Sequence, residues 1–502
     1  MKNDFLSRAK ALSITLPARE QWVPLATAAA RKCAELKGFS LPDAHRIALA
    51  VEEAAIYAIS FGYRETDAKL SIDLAQTCHG LQIVLRSRGL PLDETQLPYY
   101  DPERFLKEDD TTGLSSFLIR RMVDRAVFSV LPGGECEITL LKTLPVQDLQ
   151  TDSAQGSALE AGDEGQACSH KIRLAVPDDA ESIARLAFRA HGSVLFNEQI
   201  YYPARVREML ERREMVSVVA ETAGGVLVAH SALEASEPGA HAEEMNYGFV
   251  DRRFQGCGIM GELTAALLEN ATERGVHFVT ASAVTNHVKT QRIARAAGLK
   301  EAALLLAISS ASQHWSKDGG AEPERITDIV FIKMLGEAVN APLYVPEKHC
   351  AMVERIKDNI GYEGPNARAE RQAIPQQHSR LCAKSSFKEG WVSILVLEYG
   401  RDICDQARSH LKLFCAQGIP AITIQLPLES PLTYFIGDEI EKEGFFFAGI
   451  YPGPDARWHL LLQYLNRTEP DYDAIQAYTP FARDLLAYVH ACNPNTSRGE
   501  QG

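Results

Sequence analysis

The segment Val250–Gly275, VDRRFQGCGIMGELTAALLENATERG, holds the residue types and spacing best suited to chemistry. A strand ending at Val250 runs into a glycine-containing loop, and an amphipathic helix begins near Ile259. Glycine lets a backbone approach a ligand closely. The unpaired N–H groups of a helix N-terminus, with the helix dipole behind them, favour a pyrophosphate. Val250, Gln255, Gly256, Cys257, Gly258, Ile259, Met260 and Gly261 would line that cradle, and Arg252 and Arg253 would add positive charge. A lone Gly-x-Gly serves a tight turn equally well, so the neighbours matter. Glu243 and Glu244 lie on the strand leading to Val250, where one carboxylate could serve as a general base. Side chains alternate along a strand, so one of the two faces a cleft; Glu244 is the choice, expected to share a face with Val250. Asn286 and His287 follow the next strand, and His287 is the second catalytic candidate, although a helix-end hydrogen-bonding role suits it as well. Cys257 could be activated by the helix N-terminus, but a space-filling role is preferred.

These residues need a scaffold, and the periodicities supply one. The middle of the chain reads as strand 171–175, helices 180–190 and 204–211, strands 216–221, 226–233 and 244–250, helix 260–274, strand 278–284, helix 288–297 and strand 300–306. The third region reads as strand 391–398, helix 402–417, strand 421–426, helix 432–443 and strands 445–450 and 458–465. Its β-α-β-α-β-β order mirrors the C-terminal half of the middle region. The first region reads as a helix opened by Ser40 and Asp43 and closed at Gly62, strands 70–74 and 81–85, a helix 117–123 and strands 126–130 and 136–141. Residues 146–170 are rich in Gln, Ser, Ala, Gly and acids and read as a linker. A softer boundary falls at Gly336–Pro346, and the polar stretch Gly361–Lys384 reads as a long loop. The expected division is 1–145, linker 146–170, 171–337, 338–492 and a tail 493–502.

Gln255-Gly256-Cys257-Gly258-Ile259-Met260 after a strand ending in Val resembles motif A of the GNAT superfamily of acyltransferases, (Arg/Gln)-x-x-Gly-x-(Gly/Ala). Met260 departs from the small residue of the last position, with Gly261 one place later. Thr285–Glu301 resembles motif B, in which an Asn opens the helix beside a splayed strand and a glycine, here Gly298, closes it. The resemblance covers about residues 171–335. It implies acetyl-CoA or another acyl-CoA as donor, direct attack by an amine, and an oxyanion held by main-chain N–H groups. It also implies a general acid, often a Tyr four residues before the motif B glycine. That position is Ala294, which leaves His287, Thr290, Tyr247 or solvent.

Residues 14–142 resemble the anti-sigma type of GHKL histidine-kinase-like ATPase, through three altered boxes. Ala50–Tyr57 resembles the Glu-x-x-x-Asn helix, with Glu53 kept and Tyr57 in the Asn position. Ser87–Asp93 resembles Asp-x-Gly-x-Pro-Phe-Asp, with Ser87 for the adenine-reading Asp. Thr112–Asp124 resembles the lid helix, with Ser115 for its second glycine. A phenol is a poor Mg ligand. The resemblance therefore implies a kept fold whose magnesium- and adenine-coordinating groups are lost, a pseudo-ATPase used for protein contact or for sensing a ligand other than ATP and Mg. The third region resembles the second half of a GNAT fold by element order and lacks the phosphate loop. The expected fold class is thus α/β and α+β multidomain, a GHKL α/β sandwich followed by two GNAT-like mixed-sheet domains, the last degenerate.

Bulk properties bound these readings. The chain has 502 residues, 46% hydrophobic and 24% charged, with a formal net charge of -14. Such an acidic chain repels phosphate backbones, which argues against general nucleic-acid binding. Its ten cysteines show no C-x-x-C spacing and read as reduced thiols of a cytoplasmic protein, and no metal site is expected. No signal peptide or membrane span is expected. The function expected is acyl-CoA-dependent N-acyl transfer, from acetyl-CoA to a small-molecule amine or protein acceptor, with a regulatory protein partner at the first region and a homodimer as the assembly. The rival is a non-catalytic partner-switch protein of anti-sigma type whose GNAT domain senses acyl-CoA.

Overall fold

The computed structural model describes residues 10–60, 68–77, 80–88, 114–131, 135–144, 169–191, 198–235, 240–310, 325–336, 340–370, 373–374, 376–386 and 389–495. The chain divides into two compact units. One holds residues 1–145 with 386–388 and 408–418, and the other holds the remainder.

The first unit has a five-stranded antiparallel sheet in the order β1-β2-β3-β5-β4, formed by β1 (Lys10–Pro17), β2 (Lys69–Gln76), β3 (Gly80–Arg88), β4 (Arg125–Leu131) and β5 (Glu135–Thr143). Leu70, Ile72 and Leu74 along β2, and Leu81, Ile83 and Leu85 along β3, recur at every second residue and are buried, so one sheet face is apolar. That face shares a core with α1 (Val23–Lys37) and α2 (Leu41–Ser60). Ser40 starts α2 as expected: its Oγ accepts the Asp43 N–H at 3.2 Å. The expected stop at Gly62 lies outside the described residues. A third helix, α3 (Leu114–Met122), precedes β4. β1 and α1 were not anticipated from the sequence.

The second unit is built on a twelve-stranded sheet. Its first half contains β6 (Lys171–Leu174), β7 (Met215–Glu221), β8 (Leu227–Ala235), β9 (Ala242–Val250), β10 (Phe278–Val284), β11 (Lys300–Ser309) and β12 (Ile326–Met334). Helices α4 (Ala180–His191) and α5 (Pro203–Glu211) lie between β6 and β7. Helix α6 (Ile259–Glu273) joins β9 to β10, and α7 (Lys289–Ala296) joins β10 to β11. The second half contains α8 (Cys350–Ile360), β13 (Arg380–Ser386), β14 (Trp391–Glu398), α9 (Ile403–Ala416), β15 (Ala421–Pro427), α10 (Thr433–Lys442), β16 (Phe446–Pro452), β17 (Trp458–Leu465) and α11 (Pro480–Cys492), of which residues 386 and 408–416 are counted with the first unit.

The strand order is β13-β14-β15-β17-β16-β11-β12-β10-β9-β8-β7-β6. The two halves are mirror copies in connectivity: β9 and β10 are parallel, as are β14 and β15, and each pair is followed by an antiparallel hairpin. They meet through β11 and β16, antiparallel at Ala303↔Gly449. Gly449 has φ 137, and a Cβ there would lie 2.3 Å from the Ala302 carbonyl oxygen, so a glycine is what lets the halves close. Two mixed-sheet folds therefore follow the N-terminal sandwich and share one sheet. The expected long loop Gly361–Lys384 is corrected at its end, where Arg380 begins β13: pairing with β14 recruits polar residues of weak strand propensity. The linker lies outside the described residues except for Ser169 and His170.

Candidate functional site

β9 and β10 pair at three positions only, Phe278↔Ala242, Val279↔Glu243 and Thr280↔Glu244, although both strands run on. β10 remains paired with β12 along its whole length. A V-shaped gap therefore opens between β9 and β10 beyond Glu244. At its far end lie the C-terminal ends of two parallel strands, one leading to the glycine loop and the other to Asn286. Such crevices outside the carboxyl ends of parallel strands are where open α/β sheets hold ligands.

One wall of the gap carries a bulge. The register with β8 slips between His230↔Phe249 and Ala232↔Asn246, so β9 has one extra residue there. Tyr247 takes φ 54, an αL conformation that costs a non-glycine residue about 1–2 kcal/mol. Neutral His230, fully buried, compensates: its Nδ1–H donates to the Tyr247 carbonyl at 2.9 Å, and its Nε2 accepts from the Ser217 hydroxyl at 3.0 Å. The ring stacks on Phe249 with centroids 4.9 Å apart. Burial pushes the imidazole pKa down to about 4, so it stays neutral near pH 7. A trans peptide points its C=O and N–H in opposite directions, so the Gly248 N–H is turned away from His230.

The bulge also corrects the assignment of faces. His230, Ala232 and Glu234 alternate regularly along β8, and their partners are Phe249, Asn246 and Glu244. Glu244 thus shares a face with Phe249, while Val250, opposite Ala229, lies on the other. Simple alternation fails because the extra residue inverts the parity.

Glu243 and Glu244 have different surroundings. Arg274 binds Glu243 with both Nη atoms, at 2.5 and 2.6 Å. Glu244 faces the Ser282 hydroxyl, which donates at 3.5 Å. Burial, then the charge of Glu234, pushes the Glu244 carboxyl up to about 7; Ser282 and Asn246 oppose this. Glu234 accepts from the Tyr247 hydroxyl and from Asn246 Nδ2, both at 2.9 Å, and its own pKa is raised by burial. On the β12 side, burial pushes Asp328 up to about 6. Sequence reasoning missed Glu234, His230 and Asn246 as parts of one cluster. The cross-strand pairing of Glu234 with Glu244 is the signal that would have found them.

At the end of β9, Asp251 caps a short turn, Arg252–Phe254, by accepting the Arg253 N–H. Arg253 also turns its guanidinium onto Asp251 at 3.0 and 2.9 Å. Arg252 is exposed, as is Gln255. Gly256 has φ 90 and Gly258, the N-cap of α6, has φ 79, conformations that favour glycine. Cβ atoms built at Gly256, Gly258 or Gly261 would meet nothing within 4 Å, so open space faces the first turn of α6. Ile259 is buried beneath it, and Met260 lies over Gly248, its Sδ 3.5 Å from where a Cβ would stand. The expectation of ten free thiols is corrected at Cys257, which is disulfide-bonded, its half-buried loop position leaving the sulfur open to pairing.

At the end of β10, a strap from the C-terminal half crosses the motif B start. Gln291, fully buried, donates from Nε2 to the Gln476 carbonyl at 2.7 Å and accepts the Tyr478 N–H at 2.9 Å. Gln476 donates its N–H to the Thr285 carbonyl and its side-chain amide to that of Asn286. Asn286 is exposed, and the His287 Nδ1 is buried with no hydrogen-bond partner. No hydrogen bond joins His287 to Glu244 among the described residues.

In the first unit, Glu53 is half-buried on α2, and Tyr57 lies in the hydrophobic core, edge-on to Phe128 with centroids 6.0 Å apart. Ser87 is buried on β3. Gly89–Asp93 and the start of the lid box lie outside the described residues. Tyr57 sets a phenol ring in the apolar core where the Mg-binding Asn would stand, and a phenol is a poor Mg ligand, so these residues do not fit Mg-ATP.

Residues 16–141 match the family of histidine kinase-like ATPase domains. The chain matches no curated protein sequence. Solved structures similar to about a third of it include a GNAT superfamily phosphinothricin acetyltransferase from Sinorhizobium meliloti in complex with acetyl-CoA (20% identity, 34% of this chain and 91% of that one, TM-score 0.28). Others are a ribosomal-protein-alanine N-acetyltransferase from Brucella melitensis (22%, 33% and 99%, TM-score 0.27) and a ribosomal-protein-S5-alanine acetyltransferase from Vibrio fischeri (16%, 34% and 94%, TM-score 0.27).

Proposed function

We propose that the chain is an acyl-CoA-dependent N-acyltransferase, with residues 171–337 as the transferase domain, 338–492 as its degenerate partner and 1–145 as a regulatory pseudo-ATPase. The observation that carries the reading is the gap between β9 and β10, with an open glycine-lined helix N-terminus at one end and a carboxylate of raised pKa at its root. In this reading the amides of Gly256, Gly258, Ile259 and Met260 bind the donor's pyrophosphate, while Gly261, whose N–H donates to the Gly258 carbonyl at 2.9 Å, leaves room for it. Arg252 is the cation left to assist, because Arg253 is held by Asp251. Cys257 contributes its main chain, its sulfur being engaged, and Val250 and Asn286 flank the donor's path.

Acetyl-CoA would supply the activated acyl group as a thioester. Glu244 accepts the proton of the attacking amine, a task suited to a carboxyl that titrates near neutrality. The Gly248 N–H, held by the bulge, serves the acyl oxygen as a donor. His287 delivers a proton to the departing sulfur. The test is release of free CoA thiol from acetyl-CoA in the presence of mixed primary amines. Amine-dependent release supports transfer; tight acetyl-CoA binding with no release from any amine favours the sensing alternative.

A further inference from the structure

The face that Glu244 shares continues across the sheet and past the junction between the halves. Glu234↔Glu244 and Glu244↔Thr280 are register partners, and Thr280, Ser282 and Val284 share a face with Ile332, Val330 and Asp328. Tyr451, on β16 of the C-terminal half, reaches this face: its hydroxyl lies 3.5 Å from Thr280 Oγ1, and the charge of Glu244 acts on it. Three carboxylates thus occur on this face of β8, β9 and β12, and their hydrogen bonds come from neutral groups. Tyr247 and Asn246 serve Glu234, Ser282 serves Glu244, and Ser309 serves one oxygen of Asp328 at 2.6 Å. The nearby arginines reach these carboxylates through charge alone, Arg205 acting on Glu234 and Arg325 on Asp328, while their hydrogen bonds go elsewhere. Arg205 bonds Glu208 and Glu214, and Arg325 donates to the carbonyls of Ala307, Ile308, Glu389 and Gly390. The second oxygen of Asp328 is buried with no partner in a side chain only 8% exposed, and its charge acts on Glu244. A buried carboxylate oxygen left unpaired costs free energy unless a cation or donor completes it.

We propose that this face, built jointly by the two halves of the sheet, is the acceptor site, and that it selects an amine carrying a second cationic group. One nitrogen lies at Glu244 for acylation, and the other is held by the Asp328 carboxylate, with Tyr451 closing the site from the C-terminal half. The acceptor role rests on the acyltransferase reading, whereas the preference for a dication rests on the carboxylates alone.

The test uses the full-length protein saturated with CoA at pH 8, titrated calorimetrically with 1,4-diaminobutane, n-butylamine and 4-aminobutyrate. The diamine should bind at least about tenfold more tightly than n-butylamine, and 4-aminobutyrate should be the weakest, since its carboxylate would face like charge. Asp328→Asn, nearly isosteric, should cut the preference for the diamine by about tenfold, and Tyr451→Phe should weaken the diamine while leaving CoA affinity unchanged. Equal binding of diamine and monoamine by the unaltered protein, or a preference that survives Asp328→Asn, overturns the proposal. Diamine binding without CoA release from acetyl-CoA overturns the transferase reading and leaves the dication site standing. Turnover of n-butylamine as efficient as that of the diamine does the reverse.

Discussion

At the scale of single residues, the site depends on two neighbours on one strand with opposite duties. Glu243 is clamped by Arg274 on one face, and Glu244 stands on the other with a pKa near 7. If Glu244 is the base, it must be ionised to work, so kcat/KM for amine acylation should rise with pH through about 7 and level off above it. Glu244→Gln should lower kcat by about 10²–10⁴-fold and remove that limb while leaving acetyl-CoA affinity within a few-fold, as read by a pH–rate profile. The sequence displayed the pair and the rule of alternation. It concealed the bulge at Tyr247, which reverses parity between Glu244 and Val250, because an αL tyrosine has no sequence signature of its own. His230 was concealed for a related reason: its value lies in a carbonyl 17 residues away.

The elements show where local pattern suffices. Helix α6 was legible from its apolar period and from glycines whose φ of 90 and 79 side-chain-bearing residues avoid. β13 was not, because Arg380–Ser386 has little strand propensity and exists by pairing with β14. β12 (Ile326–Met334) was passed over too, and its register with β10 and β11 is what makes it central. The bulge gives an element-scale prediction. His230→Ala removes the partner of the Tyr247 carbonyl and leaves a strained peptide free to turn. Acyl transfer should fall by about 10- to 100-fold, with acetyl-CoA binding retained and stability lowered by about 1–3 kcal/mol in denaturant titration. Unchanged kcat in a folded variant would remove the bulge from the mechanism.

For the molecule as a whole, sequence order revealed that the third region repeats the second half of the middle one. It did not reveal that β11 and β16 join them into one sheet, since a single close approach at Gly449 makes the junction. Among the described residues no helix is long and apolar enough to cross a membrane. The N-terminal unit matches a histidine kinase-like ATPase family, yet Tyr57 occupies the core at the position read as the Mg-binding Asn. Calorimetric titration of Mg-ATP should therefore show no binding at millimolar concentration, and saturable Mg-ATP binding would overturn the pseudo-ATPase reading.

The central claim is that the N-terminus of α6 and the gap beside it hold an acyl-CoA. The most direct measurement is calorimetric titration of acetyl-CoA into the intact protein and into Gly258→Trp, which fills the open space before the helix and forces a side chain into φ 79. The account predicts one saturable site in the intact protein and a loss of at least about tenfold in affinity, roughly 1.4 kcal/mol, in a variant that remains folded. Absence of acetyl-CoA binding to the intact protein, or equal binding by both, would contradict it.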